Sequence, residues 1–126
     1  MAKTLLLKSV GLEVTAELNS SPVADLIWDM LPLKVSMNRW GDEYYGNCGI
    51  NAGMDDTGRE VMEVGELAYW PPGDALCIFF GPTPASTNEK PRAASPVVPI
   101  GKISGDPGLF KPLASSIELE VIEKKQ

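Results

Sequence analysis

Short apolar segments separated by glycine and proline run along the whole chain, and most of them alternate in polarity. In Leu12–Leu18, leucine, valine and alanine alternate with glutamate and threonine. Such alternation predicts a strand with one buried and one solvent-exposed face. Eight segments are interpreted as strands: residues 3–10, 12–18, 34–40, 43–48, 67–70, 75–80, 98–103 and 117–122.

One segment has helical periodicity instead. Ser21 is a suitable N-cap, Pro22 suits the first helical position, and Pro32 ends the run. The apolar residues between them share one helical face, which we expect to flank or plug the sheet: Val23, Leu26, Ile27, Met30 and Leu31. A helical turn is also expected around Leu109 and Phe110.

The connections between these segments carry the turn-forming residues. Pro72 followed by Gly73 predicts a type II turn in a hairpin. The strand at 75–80 is apolar on both faces, so we expect it to be central and covered on each side. Residues 81–97 contain four prolines and predict a long irregular loop. This organisation predicts one mainly β domain over residues 1–126.

Charge and composition exclude several functional classes. The 126-residue chain has 11 Lys and Arg, 17 Asp and Glu, a net charge of −6 and no histidine. A Ser-His-Asp triad, a Cys-His dyad and a His-ligated zinc site are therefore impossible within this chain. Scattered basic residues argue against nucleic acid, and no apolar run approaches the ~18 residues that span a bilayer. We expect neither nucleic acid nor a membrane as a partner.

The cysteines and the acidic residues do not predict a metal site. Cys48 and Cys77 are too far apart in sequence for a zinc motif, and we expect reduced, packed thiols in a cytoplasmic protein without a signal peptide. The acidic residues at 55–66 lack the ligand spacing of a calcium loop and predict a solvated turn. No metal or cofactor is expected.

Two sequence blocks resemble a prokaryotic cyclophilin-like family of small uncharacterised proteins. Residues 69–84 read Tyr-Trp-Pro-Pro-Gly-Asp-Ala-Leu-Cys-Ile-Phe-Phe-Gly-Pro-Thr-Pro, and residues 38–44 read Asn-Arg-Trp-Gly-Asp-Glu-Tyr. The N-terminal order of two strands, a helix and Leu31-Pro32-Leu33 is similar as well, so the resemblance covers nearly the whole chain. It implies a closed eight-stranded cyclophilin-like β-barrel with one or two short helices, in agreement with the strand count.

Arg39 is the candidate catalytic residue. True cyclophilins are peptidyl-prolyl isomerases, in which an apolar pocket holds the proline and an arginine helps the amide to twist, a step that requires no nucleophile or metal. Arg39 ends the apolar face of the strand at 34–40, so it is placed to line a pocket. The alternative is that Arg39 lies at the rim and pairs with Asp42 or Glu43. The histidine of cyclophilins has no counterpart here.

Aromatic residues supply the candidate binding surface. The aromatic group at 40, 44, 45, 69 and 70 offers flat apolar faces with polar tips, and the paired phenylalanines resemble those of the cyclophilin pocket strand. The candidate binding residues are Tyr44, Trp70, Phe79 and Phe80. Core packing is the alternative interpretation of each.

Two functions follow from these candidates. The favoured one is a module that binds a ligand at the barrel rim, either a small molecule, expected to be anionic, or a peptide. The rim is edged by Arg39, Tyr44 and Trp70 and covered by residues 81–97. The alternative is a peptidyl-prolyl cis-trans isomerase that uses Arg39 and an apolar pocket. Whether the protein is an enzyme, and its oligomeric state, stay open at this point.

Overall fold

A computed structural model of the protein describes residues 3–124. Its strands, in chain order, are β1 (Lys3–Ser9), β2 (Leu12–Leu18), β3 (Leu33–Arg39), β4 (Glu43–Asn47), β5 (Arg59–Val61), β6 (Glu66–Trp70), β7 (Ala75–Phe79), β8 (Arg92–Ile103) and β9 (Ser116–Glu123). Helix α1 (Pro22–Asp29) connects β2 to β3. Short 3-10 helices cover Pro71–Gly73 and Pro107–Phe110, the second where a helical turn is predicted.

Eight of these strands form a closed antiparallel ring. Their order is β2-β1-β9-β3-β4-β7-β6-β8, and β8 pairs back with β2 through residues 101–103 and 16–18. Strand β5 pairs with the first half of β8, outside the ring. The predicted mainly β, closed eight-stranded fold is therefore confirmed, and β5 is an addition that the sequence pattern did not indicate.

The part of the sheet formed by β4, β7, β6 and β8 is covered on both faces. Its inner face contributes to the main core inside the ring, together with Phe110 from the second 3-10 helix. On its outer face lies a smaller group, here called the outer cluster: Met62, Ala68, Cys77, Phe79, Ala93 and Val97. All five residues of β7 are buried. The prediction of a central strand covered on both sides is therefore confirmed.

The prediction of an irregular loop over residues 81–97 is wrong at its C-terminal end. Residues 92–97 belong to β8, so the irregular segment ends at residue 91. The prolines within β8 are tolerated because Pro96 is exposed and Pro99 lies at a register shift opposite β6. The extra strand length brings Ala93 and Val97 onto the outer face.

The hairpin between β6 and β7 is confirmed, but its turn type is not as predicted. Trp70 pairs with Ala75, and the Asp74 N–H donates to the carbonyl of Pro71 over 3.1 Å. A type II turn needs positive φ at Gly73, whereas here Asp74 takes the left-handed conformation, with φ of 47°. The Asp74 side chain is held in this conformation by two hydrogen bonds that its carboxylate accepts, from the Asn51 N–H over 2.8 Å and from the Tyr69 hydroxyl over 2.5 Å.

Helix α1 begins as predicted but buries a narrower face. The Ser21 hydroxyl accepts a hydrogen bond from the Ala24 N–H, which confirms the N-cap. Val23 and Ile27 are buried, whereas Leu26 and Met30 of the predicted apolar face are 43% and 41% exposed. The helix has only eight residues, and the side that it buries against the ring consists of Val23, Ala24 and Ile27.

The acidic segment is only partly solvated. A turn forms at residues 55–58, as predicted, with the Asp55 carboxylate accepting from the Thr57 N–H. Glu66 is instead only 9% exposed, and its carboxylate pairs with Arg59 and accepts a hydrogen bond from the Glu63 N–H. Both cysteines are free and buried, as expected for packed thiols. Within residues 3–124, no helix is long and apolar enough to cross a membrane.

Candidate functional site

A pocket of about 260 Å³ opens on the outer face of the sheet, beside the outer cluster. Its walls come from the β3–β4 turn, β4, β6 and β8: Trp40, Glu43, Tyr45, Trp70, Ala93, Ala94 and Val97. The volume lies just below the range of roughly 300–1,000 Å³ typical of sites for drug-sized ligands. The pocket is therefore the right size for a small molecule or for one side chain of a peptide.

Glu43 is the one ionisable carboxyl group among these lining residues. Glu43 is 5% exposed, and none of the ion pairs within residues 3–124 includes it. No N–H or O–H group of the same residues donates to its carboxyl. Since no side-chain oxygen in the described part of the chain is both fully buried and unpaired, these carboxyl oxygens keep access to the pocket.

Burial changes the chemistry of the Glu43 carboxyl. Loss of water raises the pKa of Glu43 to about 7, and the neighbouring Cys77 thiol offsets only part of that rise. Near neutral pH the carboxyl is therefore available in two forms. The neutral acid donates one hydrogen bond, and the carboxylate accepts hydrogen bonds or pairs with a cation.

The turn between β3 and β4 positions Glu43 and Trp40. The Trp40 N–H donates to the Glu43 carbonyl over 2.8 Å, and the Glu43 N–H donates back over 3.2 Å. Gly41 allows this turn with φ of 61°, and the Asp42 N–H donates to the Pro82 carbonyl over 2.9 Å. These bonds fix Trp40 and Glu43 on the same side of the sheet.

The aromatic walls of the pocket are held by packing and by one side-chain hydrogen bond. The Trp70 indole N–H donates to the Ser95 hydroxyl over 2.7 Å. Gly73 lies so close to the six-membered ring of Trp70 that a β-carbon there would come within 2.8 Å of it. Tyr45 projects from β4 opposite Cys77 and packs on the outer cluster.

Arg39 lies on the inner side of the same turn and is not among the pocket residues. Its guanidinium donates to three backbone carbonyls and to one carboxylate: Gly41, Lys111, Leu113 and Asp42, over 2.7, 2.8, 3.1 and 2.8 Å. Of its two candidate ion-pair partners, Asp42 is the one that it contacts. By holding Gly41 and Asp42, Arg39 braces the turn that presents Glu43 on the opposite face.

The sequence-predicted site residues are divided between the two faces. Tyr44 and Phe80 lie in the core, where their ring centroids are 5.9 and 4.9 Å from the Arg39 guanidinium carbon, and the Tyr44 hydroxyl donates to the Ala114 carbonyl. Phe79 is fully buried in the outer cluster, and Trp70 lines the pocket. The structure thus brings Arg39, Tyr44 and Phe80 together, apart from Trp70.

Sequence reasoning considered Glu43 only as a partner for Arg39. A signal for its actual position was present in the strand period, because Glu43 and Tyr45 must face opposite to Tyr44. Since β7 is apolar on both faces, a carboxylate on the adjacent strand beside it had to be partly buried. Trp40 and Tyr45 were already in the predicted aromatic group, whereas Ala93 and Val97 were placed in a loop.

The Cys77 thiol lies beside Glu43 and is held in its neutral form by burial. Burial raises the pKa of the Cys77 thiol well above its usual value, and the Glu43 carboxylate raises it further, so Cys77 stays a thiol near neutral pH. In the described part of the chain, no group of three or more Cys, Asp or Glu side chains is arranged to hold a metal ion. The pocket is suited to binding by shape, aromatic surface and one carboxyl group.

Comparison with known proteins agrees with this architecture. The model of the cyclophilin-like family matches residues 3–122. The solution structure of the hypothetical protein AF2241 from Archaeoglobus fulgidus is similar, with a TM-score of 0.81 and 34% sequence identity over 98% of this chain and 95% of that chain. No curated protein matches the sequence. Because the family match extends over nearly the whole chain, the protein belongs to the cyclophilin-like family.

Proposed function

We propose that this domain binds a small molecule, or one side chain of a peptide, in the pocket on the outer face of the sheet. The observation that carries the proposal is a preformed pocket of about 260 Å³ that combines aromatic walls with one buried carboxyl group, that of Glu43. Apolar walls with a single placed polar group are the usual composition of ligand sites. Such binding requires no hydrolytic or metal chemistry.

The test is to fill the pocket without disturbing the core. Ala94 is an exposed residue at the pocket wall, so Ala94→Phe places a ring in the cavity, while Ala114→Phe adds the same ring at an exposed site elsewhere. A panel of small aromatic and aliphatic compounds is titrated into the protein while the indole N–H signals of Trp40 and Trp70 are followed by NMR. We expect saturable shifts that Ala94→Phe abolishes and Ala114→Phe retains. Absence of saturable binding across the panel contradicts the proposal.

Peptidyl-prolyl cis-trans isomerisation is the second candidate. In its favour, the aromatic and aliphatic walls suit a proline ring, and amide twisting needs only one hydrogen-bond donor in a dry site. Arg39 is the donor expected from the resemblance, and the neutral Glu43 carboxyl is the donor that the pocket itself offers. An isomerisation assay on wild type, Arg39→Lys and Glu43→Gln distinguishes the two. A wild-type rate equal to the uncatalysed rate contradicts this candidate.

We also propose that the protein is located in the cytoplasm. Cys48 and Cys77 are free and buried, and burial raises the pKa of the Cys48 thiol to about 11. Unreactive, reduced thiols suit a reducing compartment. We place the protein in the cytoplasm on this ground.

A further inference from the structure

Three aromatic side chains meet at the pocket, which is unusual in a chain whose aromatic residues make up 7% of the total. Trp40, Tyr45 and Trp70 come from three different elements, and all three are half-buried. The face of an aromatic ring carries negative potential and attracts cations, most strongly in tryptophan. A wall of this kind favours a positively charged ligand group over a neutral group of equal shape.

The Glu43 carboxyl adds a full charge of the matching sign. Glu66 is the other buried carboxylate in the described part of the chain, and it has a cationic partner in Arg59. Burying a carboxylate without a cationic partner costs free energy, because the charge loses its water. A cation bound beside the carboxylate offsets that free-energy cost. The missing partner of Glu43 therefore has the chemistry of a cation that enters the pocket.

The chemical class of the cation follows from the aromatic and aliphatic side chains that surround Glu43 in the pocket. Ca²⁺ and Mg²⁺ take several oxygen ligands, and this pocket offers one carboxyl group among aromatic and aliphatic side chains. An unmodified ammonium group is strongly hydrated, so it loses a large hydration free energy when it enters such a site. Alkyl groups on the nitrogen reduce that hydration and add apolar surface for the tryptophan and alanine walls.

We infer that the pocket binds an alkylated ammonium group, with Trp40, Tyr45 and Trp70 against its alkyl groups and the Glu43 carboxylate as its counter-charge. The inference rests on the proposed function and names its ligand class. The net charge of −6 assists, because a negatively charged protein raises the local concentration of cations. The ammonium group has two possible sources, a free small molecule of the choline type or a methylated lysine side chain.

Protonation of Glu43 is expected to control this binding. The groups that face or adjoin it are Tyr45 on β4, the Cys77 thiol on β7 and the Arg39–Asp42 pair in the turn, while the lining residues of β8 carry no charge. Burial raises the pKa of the Glu43 carboxyl to about 7, so its charge changes near neutral pH. Affinity for the cation therefore rises between about pH 6 and pH 8, whereas affinity for a neutral ligand does not.

The experiment compares choline with its carbon isostere, in which a quaternary carbon replaces the nitrogen, by calorimetric titration of the full chain. At about pH 8 we expect choline to bind at least about tenfold more tightly than the isostere. Glu43→Gln is expected to reduce that preference by weakening the binding of choline more than the binding of the isostere, while the aromatic walls keep the rest of it; circular dichroism verifies the fold of the variant. Peptides with trimethylated and with unmodified lysine form a second pair and identify the source of the ammonium group.

The outcomes separate this inference from the proposed function. If the isostere binds as tightly as choline, and the unmodified peptide as tightly as the trimethylated one, the pocket binds ligands but the cation assignment is overturned. A choline affinity that Glu43→Gln leaves unchanged overturns the role of the carboxylate. If neither pair binds, the cation inference fails, and the compound panel on Ala94→Phe then decides the proposed function by itself.

Discussion

Glu43 and Arg39 flank the β3–β4 turn and point to opposite faces of the sheet. Arg39 is turned inward at the edge of the core. Its positive charge is stabilised there by hydrogen bonds to the Lys111 carbonyl and the Asp42 carboxylate and by the Phe80 ring beneath the guanidinium. Glu43 is turned outward into the pocket, where the described residues offer it no cation and only the Cys77 thiol as a weak donor. The turn therefore places a satisfied charge on the inside and an unsatisfied one at the candidate site, which is the pattern expected of a binding residue.

Replacing Glu43 by glutamine is expected to change the pH dependence of stability. The pKa of Glu43 is about 7 in the folded protein against an ordinary value of 4.5, so the folded state binds more protons than the unfolded state between these values. The free energy of unfolding of the wild type then falls as pH rises from about 4 to 8, by about 3 kcal/mol. Glu43→Gln removes this fall, as urea unfolding at each pH measures.

The control for this prediction is Glu89→Gln, since Glu89 is exposed in the irregular segment. It is expected to leave the wild-type pH profile unchanged. A Glu43→Gln profile parallel to that of the wild type would show that the carboxyl is ionised at little cost in the fold, and would contradict the buried position described above.

At the level of elements, β5 is held to the ring by one strand pairing and by an ion pair between exposed Arg59 and buried Glu66. Its backbone pairs with β8 alone. Arg59 also donates to both carboxylate oxygens of Glu66 on β6, over 2.9 and 2.6 Å, and the Glu63 N–H donates to the same carboxylate over 2.7 Å. Met62, directly after β5, is buried in the outer cluster, which shares Ala93 and Val97 with the pocket walls. The ion pair therefore supports the position of β5 against the ring.

Glu66→Gln is expected to destabilise the protein by about 1–3 kcal/mol, because the Glu66 side chain is only 12% exposed and its carboxylate accepts two hydrogen bonds from Arg59 and one from the Glu63 N–H. Glu60→Gln is the matched control, since Glu60 pairs with Arg92 at the surface and its loss should cost under about 1 kcal/mol. Urea unfolding measures both. Faster hydrogen exchange at the β5 amides is expected in Glu66→Gln only, and equal exchange in the two variants would contradict the bracing role.

For the whole molecule, closure of the ring depends on a short seam between β2 and β8. The seam has three paired positions, and Gly101 lies at one end of it. A β-carbon at Gly101 would collide with the backbone carbonyl of Glu17 and come within 3.1 Å of the Leu18 Cα. The two backbones approach this closely because glycine has no side chain on that side.

Gly101→Ala is therefore expected to push β2 and β8 apart and to lower the free energy of unfolding by about 1–3 kcal/mol. Gly105→Ala provides the control, because a β-carbon there meets no atom within 4 Å and the change should be within about 0.5 kcal/mol. Thermal unfolding compares the two. A Gly101→Ala protein as stable as the Gly105 variant would show that the seam is not a tight closure.

Much of the fold follows from local patterns in the sequence. The alternation in β2, the two apolar faces of β7 and the Ser21 cap each depend on side-chain direction or on hydrogen bonds within a few residues. These features are visible without the fold, and the structure confirms them. Where neighbours in space outweighed the local signal, as at the β8 residues 92–97, the prediction was wrong.

The candidate site, by contrast, depends on contacts between segments that are distant in sequence. The sequence by itself determined every strand except β5 and the first half of β8, the position of Arg39 on an apolar face and the supply of aromatic residues. Only the tertiary structure decided that Trp40, Glu43 and Trp70 meet the start of β8 on the outer face, while Tyr44 and Phe80 turn inward. The physical reason is that strand period fixes which residues share a face, whereas strand order, set by pairing between distant segments, fixes which faces meet.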